Sequence, residues 1–247
     1  MSTVPKVLLI GEDYDSLMLL NFHLQQAGFQ VLLAWSLSQA TEHIQHEHPL
    51  LAIFDKTNLE GDSLELCRTL RQLDGRICIA VLSSQNSEDV RVKVFEAGAD
   101  DYIVKPFNAR ELVLRVAAML RRATVKSSLR IVPPNSSLSP TQDNRPTSTK
   151  LNYAGFTIDP HRRLVYKDGS AIELTRLEFD LLKFLYDHRG YVLSRNRLLV
   201  GVWKYHHSDD ERVVDVVMAR LRKKLQDDPN QPSHIQTIRG VGYKYVA

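Results

Sequence analysis

Asp210-Glu-Arg-Val-Val-Asp-Val-Val-Met-Ala-Arg-Leu-Arg-Lys-Lys-Leu225 and, a little further on, Thr237-Ile-Arg-Gly-Val-Gly-Tyr-Lys-Tyr245 are the stretches from which the rest of the 247-residue chain can be read. Val214, Met218, Leu221 and Leu225 fall at i, i+4, i+7 and i+11, an apolar stripe that requires a helix lying on a core. Off that stripe stand Arg212, Val213, Val216, Val217, Ala219, Arg220 and Lys223, a cationic face with a small apolar centre. A helix entering the DNA major groove needs this mixture, because cations meet phosphates or guanine edges while methyl groups meet the thymine C5-methyl. A basic helical face is more often merely solvated, so the helix alone leaves both readings open.

The residues that follow separate them. Alternation in Ile235-Gln-Thr-Ile-Arg239 and in Tyr243-Lys-Tyr-Val246 predicts two strands around Gly240-Val-Gly242, a short hairpin with Arg239 at its tip. A cationic hairpin beside a cationic helix can reach the minor groove while the helix occupies the major one, the arrangement of a winged helix-turn-helix.

Charge is distributed accordingly. Residues 1–122 hold 12 basic and 16 acidic side chains (net −4), residues 123–150 hold 4 and 1 (net +3), and residues 151–247 hold 16 and 12 (net +4). The basic end is the one with the reading helix, as a nucleic-acid partner requires. No apolar run approaches the roughly 20 residues that span a bilayer, and no signal-peptide pattern opens the chain, so a cytoplasmic protein without membrane contact is expected. Cys67 and Cys78 are the only cysteines and read as free core thiols.

From the N-terminus, apolar runs at Lys6–Ile10, Phe29–Ala34, Leu50–Phe54, Ile77–Leu82 and Tyr102–Val104 alternate with helical patterns, the first carried by Leu17, Leu20 and Leu24 and stopped at Gly28. Five such strands and five amphipathic helices predict an α/β fold, a doubly wound parallel sheet covered on both faces. Ligands of these sheets sit beyond the carboxyl ends of the strands. At those ends stand Gly11-Glu12-Asp13, Asp55, Ser83 and Lys105-Pro106, each of which alone could be an ordinary turn or cap residue.

Taken together, residues 6–122 resemble the receiver domain of two-component response regulators, most closely at Ala97-Gly-Ala-Asp-Asp-Tyr-Ile-Val-Lys-Pro-Phe107. The resemblance implies a flavodoxin-like fold, Asp55 as phosphoacceptor, Ser83 as switch hydroxyl, Tyr102 as switch aromatic and Lys105 as the phosphoryl-holding lysine, preceding a cis proline. It also implies a sensor histidine kinase as partner and Mg²⁺ held by Glu12, Asp13 and Asp55. Here the chain departs from the pattern. Gly11-Glu12 stands where two adjacent acids are usual, removing one carboxylate and lengthening the other, and octahedral Mg²⁺ tolerates neither change well. Leu59 replaces a common proline. Two readings therefore stay open, a conventional phosphorylation-activated receiver and an atypical one with weakened Mg²⁺ and phosphoryl chemistry. The resemblance further implies a homodimer through the fourth helix, fifth strand and fifth helix, with Arg91, Glu111, Asp100, Asp101, Arg115 and Arg122 on that face, although Ala117 lacks the usual basic residue.

Residues 123–150, with Pro133, Pro134, Pro140 and Pro146 among Ser, Thr, Asn and Gln, read as a flexible linker, so that the two halves need not share a fixed interface. From residue 151, alternations at Phe156–Ile158, Arg163–Tyr166 and Ile172–Leu174 predict a small antiparallel sheet. Thr175-Arg-Leu-Glu178 then has capping-box spacing, and Ser194 can cap the next helix. Residues 151–247 resemble the winged-helix effector domain of the OmpR/PhoB family, through Leu174-Thr, Glu178-Phe, Val192-Leu-Ser-Arg195, Arg212-Val-Val-Asp-Val216, Arg220-Leu-Arg-Lys-Lys-Leu225 and Thr237-Ile-Arg-Gly-Val-Gly-Tyr243. This implies double-stranded promoter DNA as partner, with Arg212, Val213, Val216, Val217, Ala219, Arg220 and Arg222 facing the groove and Thr237 and Arg239 on backbone or minor groove. RNA polymerase would meet the loop 204–211. Val217 and Ala219 replace a usual histidine and basic residue, so thymine methyls and DNA shape are expected to weigh more in target choice. His206-His207 lacks further metal-ligand spacing, and Thr57 stands where a phosphatase of the dehalogenase type needs a second acid, so no enzyme is expected. A protein-binding adaptor is the alternative from another class.

Overall fold

The computed structural model describes residues 4–56, 62–124, 151–153, 156–160, 162–204, 211–230 and 232–246, of which 62, 63, 122–124 and 151–153 by backbone alone. Most of the linker, the loop residues 205–210, Thr57, Leu59 and the Arg122 side chain lie outside this description.

Five parallel strands, β1 (Lys6–Gly11), β2 (Gln30–Ala34), β3 (Leu51–Asp55), β4 (Cys78–Ser83) and β5 (Asp101–Val104), form one sheet in the order β2-β1-β3-β4-β5. Helices α1 (Tyr14–Gln26), α2 (Leu37–Glu47), α3 (Asp62–Leu73), α4 (Glu88–Glu96) and α5 (Ala109–Thr124) connect and follow them. Because helices cover both faces, β1, β3 and β4 are apolar without alternation. Leu8, Ala52 and Ile79 are buried toward one face and Leu9, Ile53 and Ala80 toward the other. Register sets the strand ends level: Gly11 pairs with Asp55, Asp55 with Leu82, and Ser83 with Val104, the residue before Lys105. The Lys105-Pro106 bond is cis.

The C-terminal half begins with a four-stranded antiparallel sheet of β6 (Leu151–Tyr153), β7 (Phe156–Asp159), β8 (Leu164–Lys167) and β9 (Ser170–Ile172). The expected third strand stops at Ile172, short of Leu174. Helix α6 (Arg176–Asp187) opens with the full capping box: Thr175 Oγ1 accepts from the Glu178 amide at 3.2 Å, and Glu178 accepts from the Thr175 amide at 2.8 Å. A short strand β10 (Val192–Ser194), α7 (Arg195–Trp203), α8 (Glu211–Leu225), β11 (Ile235–Ile238) and β12 (Gly242–Tyr245) complete the chain, β12 pairing with both β10 and β11. Gly242 is dictated by that pairing, since a Cβ there would fall 2.0 Å from the Leu193 carbonyl oxygen. The stripe Val214, Met218, Leu221 and Leu225 is fully buried, as its spacing requires.

The halves touch, although the linker does not require them to share a fixed interface. Helix α8 packs along α4 as well as on α6 and α7. Trp203, fully buried at the end of α7, donates its indole N–H to the Asp100 carbonyl at 3.2 Å, and Arg176 Nε donates to the Arg76 carbonyl at 2.6 Å. Burial of a large aromatic and its polar tip together is the reason a linker's composition cannot decide the issue.

Candidate functional site

At the carboxyl edge of the parallel sheet, Asp55 is 5% exposed and each of its oxygens is engaged. Lys105 Nζ forms an ion pair with Oδ1, and the Ser16 hydroxyl, in the first turn of α1, donates to Oδ2. Lys105 Nζ also lies 3.1 Å from Ser16 Oγ, which closes a three-group network. Ser83 is buried beside it, its Oγ accepting from the Gln85 amide at 3.2 Å. Tyr102 is turned inward, 2% exposed, with its hydroxyl donating to the Gln85 carbonyl at 2.5 Å. Asp55 and Lys105 meet directly, with Ser16 between them, while Ser83 and Tyr102 are linked to each other through Gln85.

The metal-binding edge is different. Glu12 turns away, 74% exposed, and pairs with Lys56. Asp13 is exposed at the start of α1 and makes no capping bond. A Cβ on Gly11 would lie 3.1 Å from the Asp55 carbonyl oxygen and 3.3 Å from its Cβ, so a side chain there would need its neighbours to give by a few tenths of an ångström. Among the described residues, no three His, Cys, Asp or Glu side chains come together as a metal set. Mg²⁺ wants several hard oxygens in near-ideal octahedral geometry. One carboxylate with both oxygens already bonded fits it poorly, and of the expected set Asp55 stands at this edge while Glu12 and Asp13 are exposed.

On α8, the side chains divide. Arg212 is 67% exposed and pairs across the domain boundary with Glu88 of α4 at 2.7 Å. Ala219 and Lys223 are exposed, and Val216 is half-buried. Val213 and Val217 are buried, on the flank of the stripe where α8 also meets α4. Arg220 reaches inward, donates to the carbonyls of Phe95 and Ala99, each at 3.2 Å, and forms an ion pair with Glu178 at 3.0 Å. Arg222, 8% exposed, donates to the Ile235 carbonyl at 2.6 Å and to Thr237 Oγ1 at 2.8 Å, with its guanidinium over the Tyr243 ring. For Arg222 the groove-facing expectation is corrected, since its bonds lie within the effector domain; Val213, Val217 and Arg220 are covered while α8 lies against α4, and Arg220 there compensates buried acceptors. Thr237 is tied to Arg222, while Arg239 is exposed at the wing beside Gly240, whose φ of +73° makes the turn.

Two internal anchors fix α8. Glu178 is fully buried; desolvation works against its charge, but Arg220 and Lys224, the latter at 2.7 Å, hold its carboxyl below the usual range. Asp215 accepts from Arg195 Nε and from the Tyr243 hydroxyl, each at 2.7 Å, joining α7, α8 and the wing. Burial, reinforced by that bond to Asp215, pushes the Tyr243 hydroxyl up to about 12. The helix and hairpin are thereby held as one rigid surface.

The expected dimer face is only partly outward. Asp100 is buried and bonded to Arg71 at 2.8 Å, and buried Asp101 and Arg115 lie 3.5 Å apart. Arg115 also pairs with half-exposed Glu111 at 2.6 Å, and Arg91 donates to Asn86 at 2.7 Å. These partners all lie within the one chain. Among the described residues no helix is long and apolar enough to cross a membrane.

A buried carboxylate, a hydroxyl and a lysine at the edge of a doubly wound sheet, joined to a winged helix, define a response regulator with a DNA-binding output. Comparison with known proteins agrees. Residues 7–117 match the response regulator receiver domain family, and residues 169–245 match the family described as transcriptional regulatory protein, C terminal. Two RitR mutants are similar over the whole length, at 30% and 28% identity, each covering 98% of both chains with a TM-score of 0.69. DrrB, described as an OmpR/PhoB homologue from Thermotoga maritima, is 28% identical over 99% of this chain and 100% of its own, with a TM-score of 0.47. The chain belongs to the OmpR/PhoB family of response regulators. It is a DNA-binding regulator of transcription.

Proposed function

We propose that this regulator's receiver restrains the DNA-reading helix by direct contact, and that Asp55 is a poor Mg²⁺-assisted phosphoryl acceptor. The observation that carries the reading is the hold of receiver groups on α8: Glu88 takes Arg212, and the Phe95 and Ala99 carbonyls take Arg220. A major-groove helix cannot keep these contacts and enter DNA, so output requires the halves to part. Arg212, Val216, Ala219 and Arg239 are then the groove and wing contacts. The parted receivers pair as a homodimer on tandem half-sites about one helical turn apart, and the loop 204–211 meets RNA polymerase. A sensor histidine kinase is the input the family implies, acting here on a pocket whose metal edge is incomplete. The protein acts by binding rather than turnover, in the cytoplasm.

Anisotropy of a labelled promoter duplex titrated with the full chain tests the output. Binding should weaken steeply with salt, whereas absent or salt-insensitive binding would favour a protein-binding adaptor. Labelling by acetyl phosphate with Mg²⁺ tests the input. Weak labelling is expected; efficient labelling, lost in Asp55→Ala, would establish the conventional receiver instead.

A further inference from the structure

We infer that Ser16 is a positioning residue that completes the Asp55 pocket without a metal ion. In a pocket built on adjacent acids, clustered carboxylates repel one another and a cation must offset them. Here the charges already balance. Asp55 contributes one negative charge and Lys105 one positive charge. The neutral Ser16 hydroxyl satisfies the remaining carboxylate oxygen while accepting from Lys105 at 3.1 Å. A buried carboxylate is tolerable only when paired and hydrogen-bonded, and this one is both. A divalent ion would have to displace Ser16 or Lys105, and among the described residues no three His, Cys, Asp or Glu side chains gather there: Gly11 has no carboxylate, Glu12 is turned to Lys56, and Asp13 is exposed at the start of α1.

The network also ties three parts of the sheet edge together. Ser16 belongs to the first turn of α1, Asp55 ends β3, and Lys105 follows β5. Lys105 in addition donates its amide to the Ser83 carbonyl at 2.8 Å, so the fourth strand end is held through the same residue. Ser16 thereby fixes which way Asp55 points, and Asp55 fixes Lys105. The inference rests on the atypical-receiver reading above but concerns a different residue.

The test is Mn²⁺ binding to the full chain, followed by loss of the free-ion electron paramagnetic signal. Wild type should take up no Mn²⁺ at millimolar concentration. Ser16→Asp, which sets a second carboxylate against Asp55, should gain a site that Asp55→Asn removes. A Mn²⁺ site in wild type, or none gained in a folded Ser16→Asp chain, overturns the inference. Should Ser16→Asp fail to fold, a thermal cycle of Ser16→Ala, Asp55→Asn and the double variant decides it: strongly non-additive midpoints are expected, and additive ones refute the coupling. Acetyl phosphate labelling of the same wild-type sample keeps the two readings apart. Efficient labelling without Mn²⁺ uptake sinks the atypical receiver and leaves Ser16 standing, while uptake without labelling does the reverse.

Discussion

Reversing the charge of Glu88 should raise DNA affinity, although Glu88 belongs to the receiver. Glu88 and Arg212 are 2.7 Å apart with side chains 45% and 67% exposed, so water and salt screen the pair heavily. Its attraction is about 0.5 kcal/mol, and an arginine in its place would add repulsion of similar size. The closed arrangement thus loses about 1 kcal/mol relative to the open one. When only the open form binds, the apparent Kd is the intrinsic Kd divided by the open fraction, so from a mostly closed protein Glu88→Arg should tighten promoter binding roughly fivefold and Glu88→Gln roughly twofold. Arg212 is untouched and remains available to DNA. Fluorescence anisotropy at fixed moderate salt reads the effect, and Glu65→Arg, at an exposed position of α3, controls for added positive charge. Raising the salt should shrink the gain. No gain in Glu88→Arg, or an equal gain in Glu65→Arg, would refute restraint of α8 by α4.

Further outcomes concern the anchors of the effector domain. Glu178→Gln leaves Arg220 and Lys224 without their carboxylate and should destabilise the domain by about 3 kcal/mol, the low end for a broken buried pair because Lys224 is 37% exposed; denaturant unfolding followed by circular dichroism measures it, and a loss under about 1 kcal/mol would show the pair to be dispensable. Tyr243 has a folded-state pKa raised from 10 to about 12. Its contribution is therefore complete below pH 10 and lost as pH climbs through about 12, so the unfolding midpoint should fall across that window and Tyr243→Phe should flatten the slope. Equal slopes in the two proteins would remove Tyr243 as the cause.

The parallel sheet and its active edge were legible because strands buried on both faces announce themselves as unbroken apolar runs, and their carboxyl ends line up by register. Asp55, Ser83 and Lys105 could be placed together from that alone. Ser16 could not, because a serine in the first turn of a helix reads as an ordinary N-terminal residue until Asp55 is seen opposite it. The Glu12–Lys56 pair, 44 residues apart in sequence, is equally invisible to spacing. On α8 the stripe was legible, but a helical wheel gives directions around one axis and not which third body stands on each side. Arg220 was thus read as reaching outward when Glu178, 42 positions earlier, holds it. The strand β10 is three residues long and exists by virtue of its pairing with β12, which no local pattern in Val192–Ser194 could declare.

One carboxylate does two jobs in the effector domain: Glu178 closes the first turn of α6 and also grips the DNA-reading helix through Arg220 and Lys224. Anyone transplanting α8 from a relative to change target sequence would be moving half of a lock. A donor segment with cations at positions 220 and 224 should seat at once, whereas one lacking them would leave a stranded acid at the hinge of the new module. Such chimeras should fail by unfolding rather than by misreading their promoters.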